Sequence, residues 1–265
     1  MIPTPHSELT IGHGTHPGET GKNNEDRYGV QSFYGEAGEA LTVGVIADGI
    51  GGNRAGEVAS DLAVQSILRA VSQSAGSDYP QILNQAVSQA AKEVNQAALG
   101  NADLKGMGTT CAVALIAGRR LFTAYVGDSR IYLARRRGII QTSVDHTFVQ
   151  EAIETGLLTP AEAKAHPHRH VVRRHLGSDP NVRADFRVRL ALDEAPEISM
   201  RNQGVLLEPG CQVLLCSDGL SDLVEGEEIL QVLTALPPQK AVDELILLAR
   251  KRGGHDNITV IAMLV

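Results

Sequence analysis

The chain has 265 residues, which is long enough to bury a large hydrophobic core. Because 43% of the residues are hydrophobic but only 3% are aromatic, that core must be mainly aliphatic. Its net charge of −7 argues against nucleic acid as the main partner, because phosphate backbones are bound by basic faces. No apolar run approaches the roughly 20 residues of a membrane helix, and the first residues lack a signal-peptide pattern, so we expect a cytoplasmic protein without membrane contact.

The first half of the chain pairs two predicted strands with two predicted helices. Residues 26–33 and 41–47 have strand-like patterns, and the second run is almost wholly apolar, as in a strand buried on both faces. Apolar residues at helical spacing then predict one helix around residues 64–71 and another over 79–98. Because both helices are amphipathic, we expect each to cover a sheet.

The second half returns to strands before a final helix. Residues 111–136 contain three strand-like runs with tight connections, which predict an antiparallel meander. Residues 193–204 are predicted as a loop and 213–216 as a strand, followed by a helix that Gly253 ends and by a last strand. The order predicts an α+β fold with a two-sheet core and helices outside.

Residues 148–185, here called the flap, differ from the rest because they are polar. We predict a helical insertion on the surface, with Thr159 as an N-cap and Pro160 at the first helical position. Four histidines cluster there: His166, His168, His170 and His175. Imidazole is a common zinc ligand, but no Cys or Glu spacing accompanies them, so a solvated surface is favoured over a zinc site.

Aspartates stand at the edges of the predicted strands. Asp48, Asp128 and Asp218 each follow a strand-like run, Asp256 precedes the last one, and Asp26 closes a polar segment. Hard divalent cations prefer oxygen ligands, and loops at strand ends can bring scattered carboxylates together. The sequence therefore predicts a carboxylate-rich Mg²⁺ or Mn²⁺ site.

Seven short motifs occur in order along almost the whole chain. They are Asn24-Glu25-Asp26, Ala47-Asp48-Gly49-Ile50-Gly51-Gly52, Met107-Gly108-Thr109-Thr110, Gly127-Asp128-Ser129-Arg130, Asp145-His146-Thr147, Cys216-Ser217-Asp218-Gly219-Leu220 and Asp256-Asn257-Ile258-Thr259-Val260. In this order they resemble the metal-dependent Ser/Thr protein phosphatases of type 2C, in their bacterial form. The resemblance implies two antiparallel sheets packed as a central sandwich and flanked by helix pairs, which agrees with the pattern of elements.

The resemblance also implies roles for individual residues. Asp48 would bridge two metal ions, and the carbonyl of Gly49 would bind one of them. Asp218 and Asp256 would hold the other ion, and these two with Asp48 form the expected catalytic set. Two further aspartates complete the implied metal site: Asp26 would contact metal-bound water, and Asp128 would help Asp218 hold a third, weaker ion.

A two-metal carboxylate site binds phosphate oxygens, activates a bridging water and neutralises charge during in-line displacement. We therefore expect hydrolysis of phosphoserine and phosphothreonine by attack of a metal-bridging water, with Mn²⁺ or Mg²⁺ as the cofactor. No cysteine lies in a CxxxxxR loop, which argues against a phosphocysteine intermediate.

One departure from the family pattern concerns the grip on the substrate phosphate. The family usually carries an arginine three residues before the motif asparagine, and here that position is Gly21. The adjacent Lys22 is the candidate substitute, although an ammonium cannot form the bidentate fork of a guanidinium. His146 is a candidate proton donor to the leaving group, with a structural role as the favoured alternative.

The expected protein is a single catalytic domain over residues 1–265, a monomer that acts on proteins phosphorylated by a Ser/Thr kinase. Two alternatives stay open. One is a pseudophosphatase that binds metal without turnover because Gly21 replaces the arginine, and the other is a regulatory interaction module that works through a partner protein. The complete set Asp48, Asp218 and Asp256 favours the enzyme, because a pseudoenzyme has no need of every ligand.

Overall fold

The computed structural model describes residues 1–4, 7–36, 38–52, 54–136 and 138–265, with the backbone alone at Arg54. The strands are β1 (Ile2–Thr4), β2 (Thr10–His16), β3 (Arg27–Tyr34), β4 (Ala40–Ala47), β5 (Gly49–Ile50), β6 (Gly108–Thr109), β7 (Cys111–Ala117), β8 (Arg120–Val126), β9 (Arg130–Arg135), β10 (Gly138–Gln141), β11 (Val205–Leu206), β12 (Gln212–Cys216) and β13 (Ile258–Leu264). The helices are α1 (Arg54–Gln73), α2 (Tyr79–Gly100), α3 (Phe148–Glu154), α4 (Pro160–Lys164), α5 (Pro196–Arg201), α6 (Asp218–Ser221), α7 (Gly226–Ala235) and α8 (Pro238–Lys251).

Two antiparallel sheets form the centre of the fold, as the sequence predicts. The first has the order β1-β3-β4-β7-β8-β11, and the second has the order β10-β9-β12-β13-β2. Strands β5 and β6 form a separate small ribbon beside them. The α+β class with two antiparallel sheets is therefore confirmed.

The sheets pack on each other through aliphatic side chains that alternate along each strand. On β7, Ala112 and Ala114 face the second sheet, whereas Val113 faces the helices outside. On β12, Val213 and Leu215 face the first sheet in the same way. Because both faces of these strands are buried, they have the continuous apolar sequences from which they were predicted.

Helices cover the outer face of each sheet. The stripe of Val64, Ile67 and Val71 on α1 is buried against the first sheet together with α2. Val242 and Leu245 of α8 are buried with α7 against the second sheet. Among the residues that the structure describes, no helix is long and apolar enough to cross a membrane.

The predicted meander over residues 111–136 is wrong in one respect. Strands β7 and β8 form a hairpin in the first sheet, but β9 pairs with β10 and β12 in the second sheet. The chain changes sheets at Gly127, whose φ of 107° favours glycine and where a Cβ would lie 2.6 Å from the side chain of Thr110. The polar run Gly127-Asp128-Ser129-Arg130 marks a connection between β8 and β9, but it does not show that the chain passes from one sheet to the other.

Three short helices, α5, α6 and α7, were not predicted. Residues 193–204 contain α5, which begins with Pro196 at its first turn, so the predicted loop is only partly irregular. Helix α7 begins with a capping box between Glu225 and Glu228 and buries Ile229 and Leu233. All three helices are short, and α6 has only four residues, so few apolar repeats mark them in the sequence.

The flap is helical only in its first part. Thr159 caps α4 with Pro160 at the first helical position, as predicted, and Glu162 completes a capping box. Residues 165–185 form turns and isolated bridges, including Thr147 with Val172. This stretch contains Pro167 and Pro180 and lacks apolar periodicity, which explains why the helical prediction fails there.

Candidate active site

The five predicted aspartates lie at the same end of the sandwich. Asp26 stands just before β3 and Asp48 just after β4, and antiparallel pairing of these strands brings the two together. Asp218 follows β12 and Asp256 comes two residues before β13, which are paired in the same way. Asp128 lies in the crossing from β8 to β9. The negative charges of Asp26, Asp128, Asp218 and Asp256 all act on Asp48.

Asp26 is buried and held by two hydroxyl groups. The Oγ of Ser217 and the Oγ1 of Thr259 each donate a hydrogen bond of 2.7 Å to its Oδ2. Among the described residues, its Oδ1 has no hydrogen-bond partner. Burial, with a contribution from the charge of Asp256, raises the pKa of Asp26 to about 6 despite the two hydroxyl donors. A cation beside Oδ1 would supply the missing partner.

Asp48 is positioned through its backbone by the threonines of the Met107–Thr110 motif. Its N–H donates to Oγ1 of Thr110 at 3.0 Å. Its carbonyl accepts from the N–H of Thr110 at 2.9 Å and from Oγ1 of Thr109 at 2.8 Å. The side chain of Asp48 is thereby left to face the other carboxylates, and burial followed by their repulsion raises its pKa well above the usual range.

Gly49 is required by close packing. A Cβ at this position would lie 2.3 Å from the carbonyl oxygen of Gly56 and 2.8 Å from that of Glu25. Since real Cβ atoms do not approach backbone oxygens so closely, any other residue would displace the loop that follows Asp48. The absence of a side chain at Gly49 therefore lets these three backbone segments approach one another closely.

Asp128 and Asp218 repel each other across the site. Burial and then the charge of Asp145 raise the pKa of Asp128 to about 7. Burial and then the charges of Asp128 and Asp222 raise the pKa of Asp218 well above its usual range. Within the described part of the chain, Oδ1 of Asp218 is sealed from solvent without a hydrogen-bond partner. Such a group of carboxylates needs protons or cations to neutralise it.

Residues that sequence reasoning missed fix the loops around these carboxylates. The buried Asn257 accepts a hydrogen bond from the N–H of Glu25 at 2.7 Å and donates to the carbonyl of Asn23. Ser129 joins Thr110 through a hydroxyl pair at 2.7 Å. Both residues belong to the seven motifs, which was the sequence signal that could have singled them out. Their hydrogen-bond partners are distant in sequence, so the contacts themselves could not be predicted.

Lys22 is not drawn into the aspartate cluster. Its side chain is exposed and, among the described residues, forms no ion pair. The neighbouring Gly21 has a φ of 75°, and nothing lies within 4 Å of a Cβ built on it. Space for a larger side chain therefore exists at position 21, but the backbone conformation favours glycine.

His146 occupies a structural position. It is buried, and its Nδ1 accepts a hydrogen bond of 3.0 Å from the N–H of Gly127. Its Nε2 lies 3.2 Å from Oδ2 of Asp185 and 3.1 Å from a guanidinium nitrogen of Arg174. Both ring nitrogens are thus engaged at the base of the flap, which favours the structural interpretation over proton donation to a leaving group.

The cysteines are poor nucleophiles. All three are buried and free, and burial raises the pKa of the Cys111 and Cys216 thiols to about 12. Since the thiolate is the reactive form, the structure agrees with the expectation that no phosphocysteine forms.

The oxygen donors fit divalent cations, although the predicted ligands are widely spaced. Among the described residues, the group of three ligand atoms lying within 4.8 Å of one another comprises His170, Asp218 and Asp222, and not the predicted set. A two-metal centre would account for this spacing, because two ions about 3.5–4 Å apart take ligands on opposite sides. Two carboxylate oxygens without partners, on Asp26 and Asp218, supply the donor chemistry that hard cations select.

The fold and these carboxylates define a metal-dependent phosphatase architecture, and comparison with known families agrees. The chain belongs to the protein phosphatase 2C family, whose model matches residues 13–250.

Two curated relatives show the extent of the similarity. Serine/threonine protein phosphatase PstP of Mycobacterium tuberculosis is 37% identical over 239 residues, which cover 90% of this chain but 41% of that protein. Protein phosphatase PhpP of Streptococcus pneumoniae is 32% identical over 257 residues, covering 93% of each chain. The chain therefore spans less than half the length of PstP and nearly all of PhpP.

A solved structure extends the comparison to the metal. The catalytic domain of PstP in complex with two manganese ions has a TM-score of 0.77 and 33% identity, and the match covers 97% of both chains. The two-sheet architecture is thus shared over almost the whole described chain with a phosphatase domain that holds Mn²⁺.

Proposed function

We propose that this protein is a metal-dependent protein phosphatase that hydrolyses phosphoserine and phosphothreonine in other proteins. The observation that carries the proposal is the convergence of Asp26, Asp48, Asp128, Asp218 and Asp256, contributed by both sheets, with buried carboxylate oxygens left without partners. A group of this kind is costly to the fold unless cations neutralise it. The family membership of the chain supports the same conclusion.

The residues that would hold the cations follow from their positions. Asp48 faces the other four aspartates and suits a bridging role, with the carbonyl of Gly49 as a neutral donor beside it. Asp218 and Asp256 would complete the binding of the second ion, and Asp26 would orient water through its free Oδ1. When bound, two divalent cations lower the pKa of water and neutralise the charge of the phosphate under attack.

The substrate phosphate needs a cation from the protein, and Lys22 is the proposed source. Arg27 is occupied, since it donates to the carbonyl of Asp26 at 2.7 Å and pairs with Glu57. Arg130 is likewise held by Asp145 at 2.7 Å. Lys22 precedes Asp26 by four residues and is exposed, so its flexible side chain can reach toward a phosphate at the site.

The proposal also covers the metal ions, the oligomeric state, the location and the substrates of the protein. We take Mn²⁺ or Mg²⁺ as the ions, two in the core and a third, weaker one near Asp128. Residues 1–265 would act as one catalytic domain, as a monomer in the cytoplasm, on proteins phosphorylated by a Ser/Thr kinase. The absence of a nucleic-acid partner rests on the net charge of −7.

Phosphate release from a phosphothreonine peptide tests the function. We expect release with Mn²⁺ and none after excess EDTA, and we expect Asp61→Asn, on an exposed part of α1, to retain the wild-type rate. Release that continues in EDTA would overturn the metal-dependent mechanism. Mn²⁺ binding by calorimetry without any release would instead favour the pseudophosphatase and point to Gly21.

A further inference from the structure

A groove outside the aspartate cluster lies along helix α2. It is a cavity of about 820 Å³ between α2, from Pro80 to Lys92, and residues 180–186, and Met200 of α5 also lines it. We call it the α2 groove. Of the residues that the structure describes, none of the five predicted aspartates lines it. Ligand pockets usually measure about 300–1,000 Å³, so this groove has room for several side chains of a partner.

The floor of the α2 groove is apolar. Val182, Ala184 and Phe186 line it, and each is half-buried against the core of the first sheet. Met200 lies beside them with 47% of its surface exposed. Methionine is flexible and adapts to different apolar partners. The floor therefore offers apolar area that a bound segment can bury.

The charged side chains that line the α2 groove are both cations. Lys92 and Arg183 are exposed and, among the described residues, form no ion pair. In the described part of the chain no carboxylate lines the groove, although the whole chain has a net charge of −7. The groove is thus a local positive surface on a negative protein, and it complements a partner that carries carboxylates.

Nearby carboxylates do not neutralise these cations, because other arginines bind them. Glu93 follows Lys92 in α2 but is bound by Arg69 at 2.6 Å. Asp185 interrupts the apolar floor in sequence, but Arg187 binds it at 2.7 Å. The two cations of the groove therefore remain available to negative charge from outside the chain.

The α2 groove begins a short distance from the aspartate cluster. The carbonyl of Asp48 accepts a hydrogen bond from Thr109, and Thr109 is bridged to Leu176. Pro180, the first groove residue on this side, follows Leu176 by four residues, and four residues span at most about 14 Å. An extended substrate chain of roughly ten residues is therefore long enough to occupy the groove and the aspartate cluster together.

We propose that the α2 groove docks an acidic segment of the phosphoprotein substrate, at a distance from the phosphate that is hydrolysed. Apolar side chains of the segment pack on Val182, Phe186 and Met200, and its carboxylates pair with Lys92 and Arg183. The inference rests on the proposed function, since it takes the occupant to be the substrate of that reaction. It defines the preferred substrates as proteins in which the phosphorylated residue lies roughly ten residues from a stretch of mixed acidic and apolar residues.

Steady-state kinetics of the full chain with Mn²⁺ and two peptides tests the docking groove. One is a short phosphothreonine peptide without carboxylates, and the other joins it through a Gly/Ser linker of about ten residues to a segment of alternating Leu and Glu. In the double variant Lys92→Glu with Arg183→Glu, we expect the KM for the extended peptide to rise at least about 10-fold, because two attractions become repulsions. The kcat and the KM for the short peptide should stay at wild-type values, which also shows that the variant folds.

A matched control carries the same change of charge at a distance from the groove. Lys240→Glu with Lys251→Glu alters two exposed positions of α8, and this variant should retain the wild-type KM for the extended peptide. Met200→Ala tests the floor without a change of charge, and we expect it to raise that KM by about 2–5-fold.

The outcomes distinguish this inference from the proposed function. Equal KM values for the extended peptide in the two double variants, with turnover present, would overturn the docking groove and leave the phosphatase intact. Absence of phosphate release from both peptides by wild type would overturn the proposed function.

Direct binding judges the groove even without turnover. We expect the Leu/Glu segment alone, without phosphate, to bind wild type in a fluorescence anisotropy titration, and to bind Lys92→Glu with Arg183→Glu at least about 10-fold more weakly. Binding that is equal in the two proteins, or undetectable in wild type, would contradict docking in this groove.

Discussion

The aspartate cluster and the flap are neighbouring regions that are held in place by different kinds of contact. Asp26 is fixed by buried hydroxyls of Ser217 and Thr259, with both hydrogen bonds at 2.7 Å. Where the flap meets α6 and α7 it is held by the exposed pair Lys164–Glu225, whose side chains are 76% and 70% exposed, and by His170 with Asp222. Buried, satisfied hydrogen bonds define geometry far better than exposed ion pairs. Asp26 is therefore positioned by the fold itself, whereas the outer part of the flap depends on weak contacts.

The base of the flap differs again from its outer part. His146 and Asp185 are buried and hydrogen-bonded to each other. Burial raises the pKa of Asp185, but hydrogen bonds from His146 and Arg187 hold it well below its usual range. Because the hydrogen bonds outweigh the opposing effect of burial, Asp185 remains ionised in the fold. The contrast teaches that this insertion has a rigid attachment and a loosely held outer part.

The largest effect is expected for substitution of Asp218. Asp218→Asn removes one charge with little change in volume, so the protein should fold while turnover falls by more than about 100-fold, beyond the loss typical of residues that merely support a metal ligand. Steady-state kinetics with a phosphothreonine peptide and Mn²⁺ would measure the loss. Wild-type turnover in this variant would show that the metal assignment is wrong.

A second substitution tests whether the buried hydroxyls matter as proposed. Thr259→Val keeps the shape but removes the donor to Oδ2 of Asp26, and we expect Mn²⁺ affinity to fall by about 10–100-fold. Thr259→Ser is the matched control, since it retains the hydroxyl and should stay close to wild type. Equal affinities in the two variants would mean that this hydrogen bond does not organise the site.

Position 21 tests the missing phosphate grip. Gly21→Arg should lower the KM for a phosphopeptide if the grip is absent, while its φ of 75° should cost about 1–2 kcal/mol of stability. Gly21→Ala carries the same backbone cost without the charge and separates the two effects in thermal melts. An unchanged KM in the arginine variant would indicate that Lys22 or another residue already supplies the grip.

The smallest effect is expected at the outer flap. Lys164→Ala breaks the exposed pair with Glu225 and should shift the melting temperature by less than about 2 °C. Differential scanning calorimetry would measure this shift. A larger fall would contradict the contrast between the flap and the core, because it would show that this exposed contact is important for the fold.

The sequence allowed the main elements to be predicted because their signals are local. The continuous apolar run predicts β4, the apolar residues at helical spacing predict α1, and the aspartates mark the strand ends. The polar residues from Gly127 to Arg130 predict a connection, but they do not distinguish a hairpin within one sheet from a crossing to the other sheet. Sheet membership is decided by pairing over long distances, which a single sequence does not display.

In the candidate site, too, local signals could be predicted from the sequence and long-range contacts could not. The five aspartates were found from strand edges and motifs, but the partners that fix them lie far away in the chain, as Thr259 does from Asp26. His170 could not be told from its neighbours by spacing, because only the folded flap brings it beside Asp222. Tertiary contacts therefore supplied what residue types and periodicity could not.

The central claim is that the converging aspartates hold two cations, with Asp48 between them. Equilibrium binding of Mn²⁺ to wild type, to Asp48→Asn and to the exposed control Asp243→Asn tests this claim directly. We predict two tight ions in wild type and in the control, and loss of both tight sites in Asp48→Asn, because a bridging ligand serves both ions. Two tight ions retained in Asp48→Asn would contradict the account.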